Sequence, residues 1–177
     1  MAIRIRNKRN NSQSLPMSTK TPEDVIAIAK RNEITTNPLD LSSLCHVLGI
    51  GIQFVPLENN ISGRLHHDGN RWIINVNSLH HQRRQRFTIA HELGHYFLHR
   101  NSQEKYEDAT FHRGKQYSLK ELEADNFAGA LLMPKAEFKD FVRSYSNKID
   151  DIAEHFGTSS VAIKKRADVI RSNSYEF

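Results

Sequence analysis

The stretch His91-Glu92-Leu93-Gly94-His95 constrains the fold more than any other part of this chain, because it makes chemical sense only on a helix. Side chains four residues apart share one helical face, with Cβ atoms about 5–6 Å apart. Both imidazoles can then turn a nitrogen onto one ion. Glu92 lies about 100° around the helix from His91, where a carboxylate reaches past the ligands to water at the ion. H-E-x-x-H is the zinc-hydrolase pattern, with the glutamate as the base that activates the water. The neighbours support a helix: Phe87, Ala90, Gly94, Phe97 and Leu98 recur at helical spacing, and no proline interrupts them. Gly94 carries a helix penalty of about 1 kcal/mol relative to Ala, which points to close approach of another element behind the metal.

Two histidines do not complete a catalytic zinc site, which usually has three protein ligands. The H-E-x-x-H-x-x-G-x-x-H arrangement is excluded, because Leu98 and Asn101 stand where that glycine and third histidine belong. His99 is two turns beyond His91, about 12 Å along the axis, and is expected at the helix end or near the substrate. The stretch from Tyr117 to Pro134 reads as a second long helix, with a Ser118–Glu121 capping box and Pro134 as its stop. On it, Glu123 has Leu119 four residues before it, Phe127 four after and Ala130 seven after. A carboxylate in such an apolar stripe is costly to bury without a partner, and a metal resolves that cost. Glu123 is therefore favoured as third ligand and Glu121 is the runner-up. Glu121 and Asp125 point to a different, more polar side.

Taken in order, Ser62-Gly63-Arg64, Arg71 to Asn77, Arg86 to His99, and Glu123-Ala124-Asp125-Asn126-Phe127-Ala128 to Leu132-Met133-Pro134 resemble the ImmA/IrrE-type metallopeptidases. The resemblance runs from about Thr21 to about Ile170. It implies His91, His95 and Glu123 as zinc ligands, and Glu92 as general base. It further implies a protein substrate, since members of the family often cleave a helix-turn-helix repressor of a phage, mobile element or stress response, and others occur beside toxin–antitoxin genes. Glu92 would take a proton from water and return it to the leaving amine, while zinc polarises the scissile carbonyl. His99, His112, Tyr96 and Tyr117 are all candidates for a second oxyanion donor.

The expected fold is α+β and zincin-like. A small antiparallel or mixed three-stranded sheet packs on helices, and a helical, helix-turn-helix-like extension follows. Thr21-Pro22-Glu23-Asp24 starts a first helix, Asn37-Pro38 opens a second that Gly49 closes, and Ile50 to Val55 is a strand. Gly63 to His67 and Arg71 to Asn77 are two strands joined at Asp68-Gly69. In such folds an extended substrate can pair with an exposed sheet edge. His66-His67 and His80-His81 read as surface residues near hairpin ends. The division expected is a basic tail over 1–20, a catalytic domain over 21–145 and a helical extension over 146–177. At 177 residues the chain can bury one core.

Residues 1–20 are too rich in Arg, Lys, Asn, Ser and Gln to pack, and contribute to the net charge of +5. They read as a solvated tail, with a nucleic-acid-binding arm as the sharper alternative and Met17 as a possible natural start. The N-terminus lacks the apolar segment of a secretion signal. Cys45 is the one cysteine, so no internal disulfide forms, and a reducing, cytoplasmic location is the default. Arg83-Arg84-Gln85-Arg86 is expected to be solvated. Ile149 to Gly157 and Val161 to Ile170 form two helices around a Thr158-Ser159-Ser160 turn, and Lys164, Lys165 and Arg166 open the second. These helices are expected to pack on the catalytic core. DNA contact through them is the competing reading. The alternative function is accordingly a DNA- or protein-binding regulator, or toxin–antitoxin component, with a non-proteolytic zinc site.

Overall fold

The computed structural model describes residues 20–100 and 118–172. Expectations for the basic tail, for His112 and for Tyr117 lie outside the described residues.

The chain opens with α1 (Pro22–Arg31), whose Thr21 cap and Asp24 exchange hydrogen bonds in a complete capping box. Helix α2 (Leu41–Val47) begins later than the Asn37-Pro38 signal implied. Asp40 is its cap, accepting from the Ser43 N–H at 3.0 Å and the Ser43 hydroxyl at 2.7 Å. Pro38 sits instead in a turn closed by a Thr36–Leu39 bridge. Cys45 on α2 is buried, and burial pushes its thiol up to about 12, so it behaves as a small core residue.

Three strands follow: β1 (Gly51–Val55), β2 (Gly63–His67) and β3 (Trp72–Asn77). Their order is β1-β3-β2, with β1 parallel and β2 antiparallel to β3. The sheet is therefore mixed. The β2–β3 hairpin turns where expected, with Asp68 Oδ1 accepting from the N–H groups of Asn70 and Arg71, each at 2.9 Å. Asn77, fully buried at the end of β3, donates from Nδ2 to the carbonyls of Leu57, Glu58 and Ile61 and accepts from the N–H of Leu79. One amide side chain thus ties the loop before β2 to the turn leading out of β3.

The long helix α3 (Gln82–Leu98) packs under the sheet and against α4 (Leu119–Leu132). Residues 88–95 of α3 are all buried, so this half of the helix is surrounded and not amphipathic. The closest approach is at Gly94. A Cβ there would lie 3.0 Å from Ala124 Cα, 3.1 Å from the Ala124 carbonyl oxygen and 3.2 Å from Phe127 Cβ. Phe97 and Phe127 stack beside this point with centroids 5.9 Å apart.

Pro134 ends α4, and it also stands at the N-cap of an unforeseen helix, α5 (Lys135–Ser144). Its Phe138 stacks on Phe156 of α6 (Ile149–Phe156) at 5.9 Å, and Phe141 stacks on His155 at 4.2 Å. Helix α6 ends at Gly157, whose φ of 62° is left-handed and favours glycine. Helix α7 (Ser160–Ser172) then packs on α4 and α6. Arg86 is not solvated as expected. It donates from Nε to the Gly157 carbonyl at 3.0 Å and from a terminal nitrogen to the Leu39 carbonyl at 2.9 Å, joining three parts of the fold. No helix among the described residues is long and apolar enough to cross a membrane.

The Gly94 contact yields a stability prediction. In Gly94→Ala the added methyl meets helix backbone that cannot swing aside, an overpacking cost of about 1–3 kcal/mol against at most about 1 kcal/mol regained in helix propensity. A lowered urea midpoint with unchanged m-value is the expected result, and equal or higher stability would show that α4 has room to shift.

Candidate metal centre

Crossing at Gly94 and Ala124 decides which side chains meet. His91 and His95 flank Gly94 on α3, and Glu121 lies one turn before Ala124 on α4. Their ligand atoms form a compact group, all within 4.8 Å of one another. His91 Nε2 is 3.0 Å from His95 Nε2 and 3.3 Å from Glu121 Oε2, and His95 Nε2 is 3.3 Å from Glu121 Oε1. Ligands held at zinc distances around a tetrahedral ion are about 3.3 Å apart. The observed edges match that figure. Both histidines are 2 % exposed, and two carboxylate oxygens beside them, Glu92 Oε2 and Glu121 Oε2, are buried with no well-aligned donor among the described residues. Buried acceptors left in this way call for a cation. Two imidazole nitrogens and a carboxylate suit a divalent transition metal.

The expectation of Glu123 as third ligand is corrected by this geometry. Two positions along a helix rotate a side chain by about 200°. Glu123 therefore leaves α4 on nearly the opposite side from Glu121, and its Oε2 lies 2.9 Å from His99 Nε2. Its side chain is 39 % exposed, against 21 % for Glu121. The apolar stripe drawn around Glu123 fails at Leu119, which is 60 % exposed. Glu121 was assigned to a capping box, but only half of that box forms. Ser118 Oγ accepts from the Glu121 N–H at 3.3 Å, while the Glu121 carboxylate faces the two imidazoles.

Asp125 has a role that the sequence reading did not give it. It shares the Glu121 side of α4, four residues on, and its Oδ1 accepts from His91 Nδ1 at 2.9 Å. A carboxylate on the far nitrogen fixes the ring and leaves Nε2 for the metal. The i,i+4 relation of Glu121 and Asp125 was the available signal. On the other ligand, His95 Nδ1 lies 2.9 Å from His99 Nδ1. His99 caps the end of α3, one of the two expected locations, and sits behind the ligand rather than over it. Tyr96 packs edge-on to Trp72 and Phe97.

The electrostatics follow from burial and from these carboxylates. Burial pulls His91 toward neutrality, but Asp125 and Glu121 outweigh it and raise its pKa to about 9. For His95 burial dominates and lowers the pKa. Burial opposes the charge on Glu121, yet the facing imidazoles overcome it and hold the carboxyl well below the usual range. Glu92 is raised to about 7 by burial, against the pull of His91. The backbone of Gly63 on β2 passes beside it, since a Cβ there would lie 3.4 Å from Glu92 Oε1 and 2.4 Å from Thr88 Cγ2.

The comparisons with known proteins agree with this centre. Residues 45–168 match the Peptidase_M78 family, described as the IrrE N-terminal-like domain. The chain belongs to the IrrE-type metallopeptidases. A search of curated proteins yields no match. The fold resembles a Mycobacterium tuberculosis transcriptional regulator with a TM-score of 0.58 at 20 % identity, over 82 % of this chain and 45 % of the regulator. This chain therefore spans less than half of that protein's length.

The centre predicts an order of effects on metal binding. Glu121→Ala, which removes a candidate ligand, should weaken binding of added zinc by more than about 100-fold, and Asp125→Asn by about 10–100-fold. Competition with a chromogenic chelator measures both. Wild-type affinity in Glu121→Ala would remove Glu121 from the ligand set.

Proposed function

We propose that this chain is a zinc-dependent endopeptidase that cleaves a regulatory protein, with a helix-turn-helix repressor as the substrate class that its family resemblance favours. One observation carries the chemistry: Glu92, buried with an unpartnered Oε2, stands beside three side chains that converge on one point. When bound there, zinc supplies a Lewis acid for the scissile carbonyl and brings the pKa of water at the site to near 7.

The protein's own residues do the rest. With the metal bound, His91 and His95 would present unprotonated Nε2 atoms, their rings held from behind by Asp125 and His99. Glu121 supplies the anionic ligand. Glu92 Oε2 accepts the proton from the attacking water and passes it to the leaving amine nitrogen, a task suited to a carboxyl near neutrality. Among the described residues β2 has no strand on its outer side. An extended peptide pairing there by backbone hydrogen bonds would run past Gly63 and bring its scissile bond toward Glu92. The absence of a side chain at Gly63 lets β2 lie against Thr88 of α3, so the strand edge runs close to Glu92.

Glu92→Gln should keep a full equivalent of zinc and lose about 10²–10⁴ in turnover, the usual contribution of a positioned base. His95→Ala should lose both zinc and activity. The assay is incubation with a neighbouring helix-turn-helix repressor, with and without chelator, followed by intact-mass analysis and metal quantification. Equal cleavage by wild type and Glu92→Gln would end this reading of Glu92.

A further inference from the structure

His99 and Glu123 are left over once the ligands are assigned, yet they lie in one line with a ligand. We infer that Glu123 and His99 are positioning residues that order the protons of His95, holding its Nε2 bare toward the metal. The inference rests on the metal reading of His91, His95 and Glu121.

The argument is one of donors and acceptors. A carboxylate only accepts, so across the 2.9 Å between Glu123 Oε2 and His99 Nε2 the imidazole donates. A neutral imidazole has a single N–H, so His99 Nδ1 is then an acceptor. It faces His95 Nδ1 at 2.9 Å, and His95 must donate across that gap. With its proton on Nδ1, His95 presents a lone pair at Nε2, the atom 3.3 Å from Glu121 Oε1. Each proton position follows from the one before it, and the starting point is the charge on Glu123.

Helix geometry explains why this ligand needs an intermediary when His91 does not. Asp125, on the Glu121 side of α4, reaches His91 Nδ1 directly. Glu123 leaves the helix on the other side and meets the end of α3 one turn beyond His95, where the side chain at 99 bridges the distance. His99 is 5 % exposed, so water competes little for its two nitrogens. Both ligand histidines are thus ordered by a carboxylate of α4, one directly and one through a second imidazole. A mere strut between α3 and α4 would need Glu123 and His99 alone, with no particular proton on His95.

The test reads the proton itself. Long-range nitrogen–proton NMR of the metal-free full chain, in mildly alkaline buffer, should show His95 with its proton on Nδ1. Glu123→Gln should mix the two tautomers, because an amide can either donate to or accept from His99. Glu123→Gln and His99→Gln should each weaken zinc binding by about 10–100-fold, and the double variant should be no weaker than the worse single one, as for links of one chain. The metal-free melting temperature of Glu123→Gln should stay at the wild-type value, since the amide keeps a hydrogen bond to His99, so a change in tautomer and zinc affinity at unchanged stability separates the relay from a strut. Wild-type protein with the His95 proton on Nε2, or Glu123→Gln with unchanged tautomer and zinc affinity, would overturn the relay. The metal-free spectrum reads the relay without zinc, so its failure is distinguishable from a failure of the metal site.

Discussion

The approach of α3 to α4 at Gly94 and Ala124 is the constraint from which the rest of the centre follows. A glycine flanked by His91 and His95 lets the helix backbones meet at the level of the candidate metal site. The distance is short enough for a glutamate one turn back to share the ion. Any larger residue at 94 would move α4 outward and take Glu121, Asp125 and Glu123 with it. The neighbouring Phe97–Phe127 stack and the sheet above α3 make that spacing rigid, because close-packed interiors yield little. Helix propensity is sacrificed at one position so that three carboxylates on α4 face three histidines on α3.

That facing arrangement solves an electrostatic problem. Buried imidazoles and carboxylates without partners would cost several kcal/mol each. Here the groups are matched in pairs, Asp125 with His91 and Glu123 with His99, and Glu121 stands between His91 and His95. Glu92 has no such facing imidazole at its Oε2, which is buried without a donor among the described residues, and burial lifts its pKa to about 7. A buried carboxyl raised toward neutrality beside a candidate metal site is what a group kept for proton transfer requires.

The sequence revealed most of this, and its failures have physical causes. His91, His95 and the capped start of α4 were legible because a helix imposes its own spacing. The mixed sheet was foreseen in outline, since Asp68-Gly69 marks a hairpin, while the parallel partner of β3 depends on long-range pairing that local signals do not carry. The choice between Glu121 and Glu123 as third ligand is where local pattern fails. A capping box and a ligand both place a glutamate three residues into a helix, and the pattern cannot say which way its carboxylate swings. Leu119 misled in the same way, since apolar character was taken for burial at a residue that is 60 % exposed. Arg86 illustrates the converse, because a charged cluster looks solvated until two backbone carbonyls from distant segments are found at its guanidinium.

The C-terminal helices show how the same logic reaches beyond the two metal-bearing helices. A helix that reads DNA turns its basic side chains outward from its N-terminal half. On α7, Arg166 is buried and donates from Nε to the Met133 carbonyl at 3.0 Å, at the end of α4. Lys165 Nζ lies 3.6 Å from Asp125 Oδ2, the second oxygen of the carboxylate that orients His91. Lys165 is 67 % exposed, so the ion pair itself contributes little to stability. Arg166 and the buried Ala162 and Ile163 hold α7 in place. The family match extends through most of this helix, to residue 168. Two of the three basic residues at the start of α7 are therefore turned toward α4, one securing its end and the other touching the carboxylate behind a metal ligand.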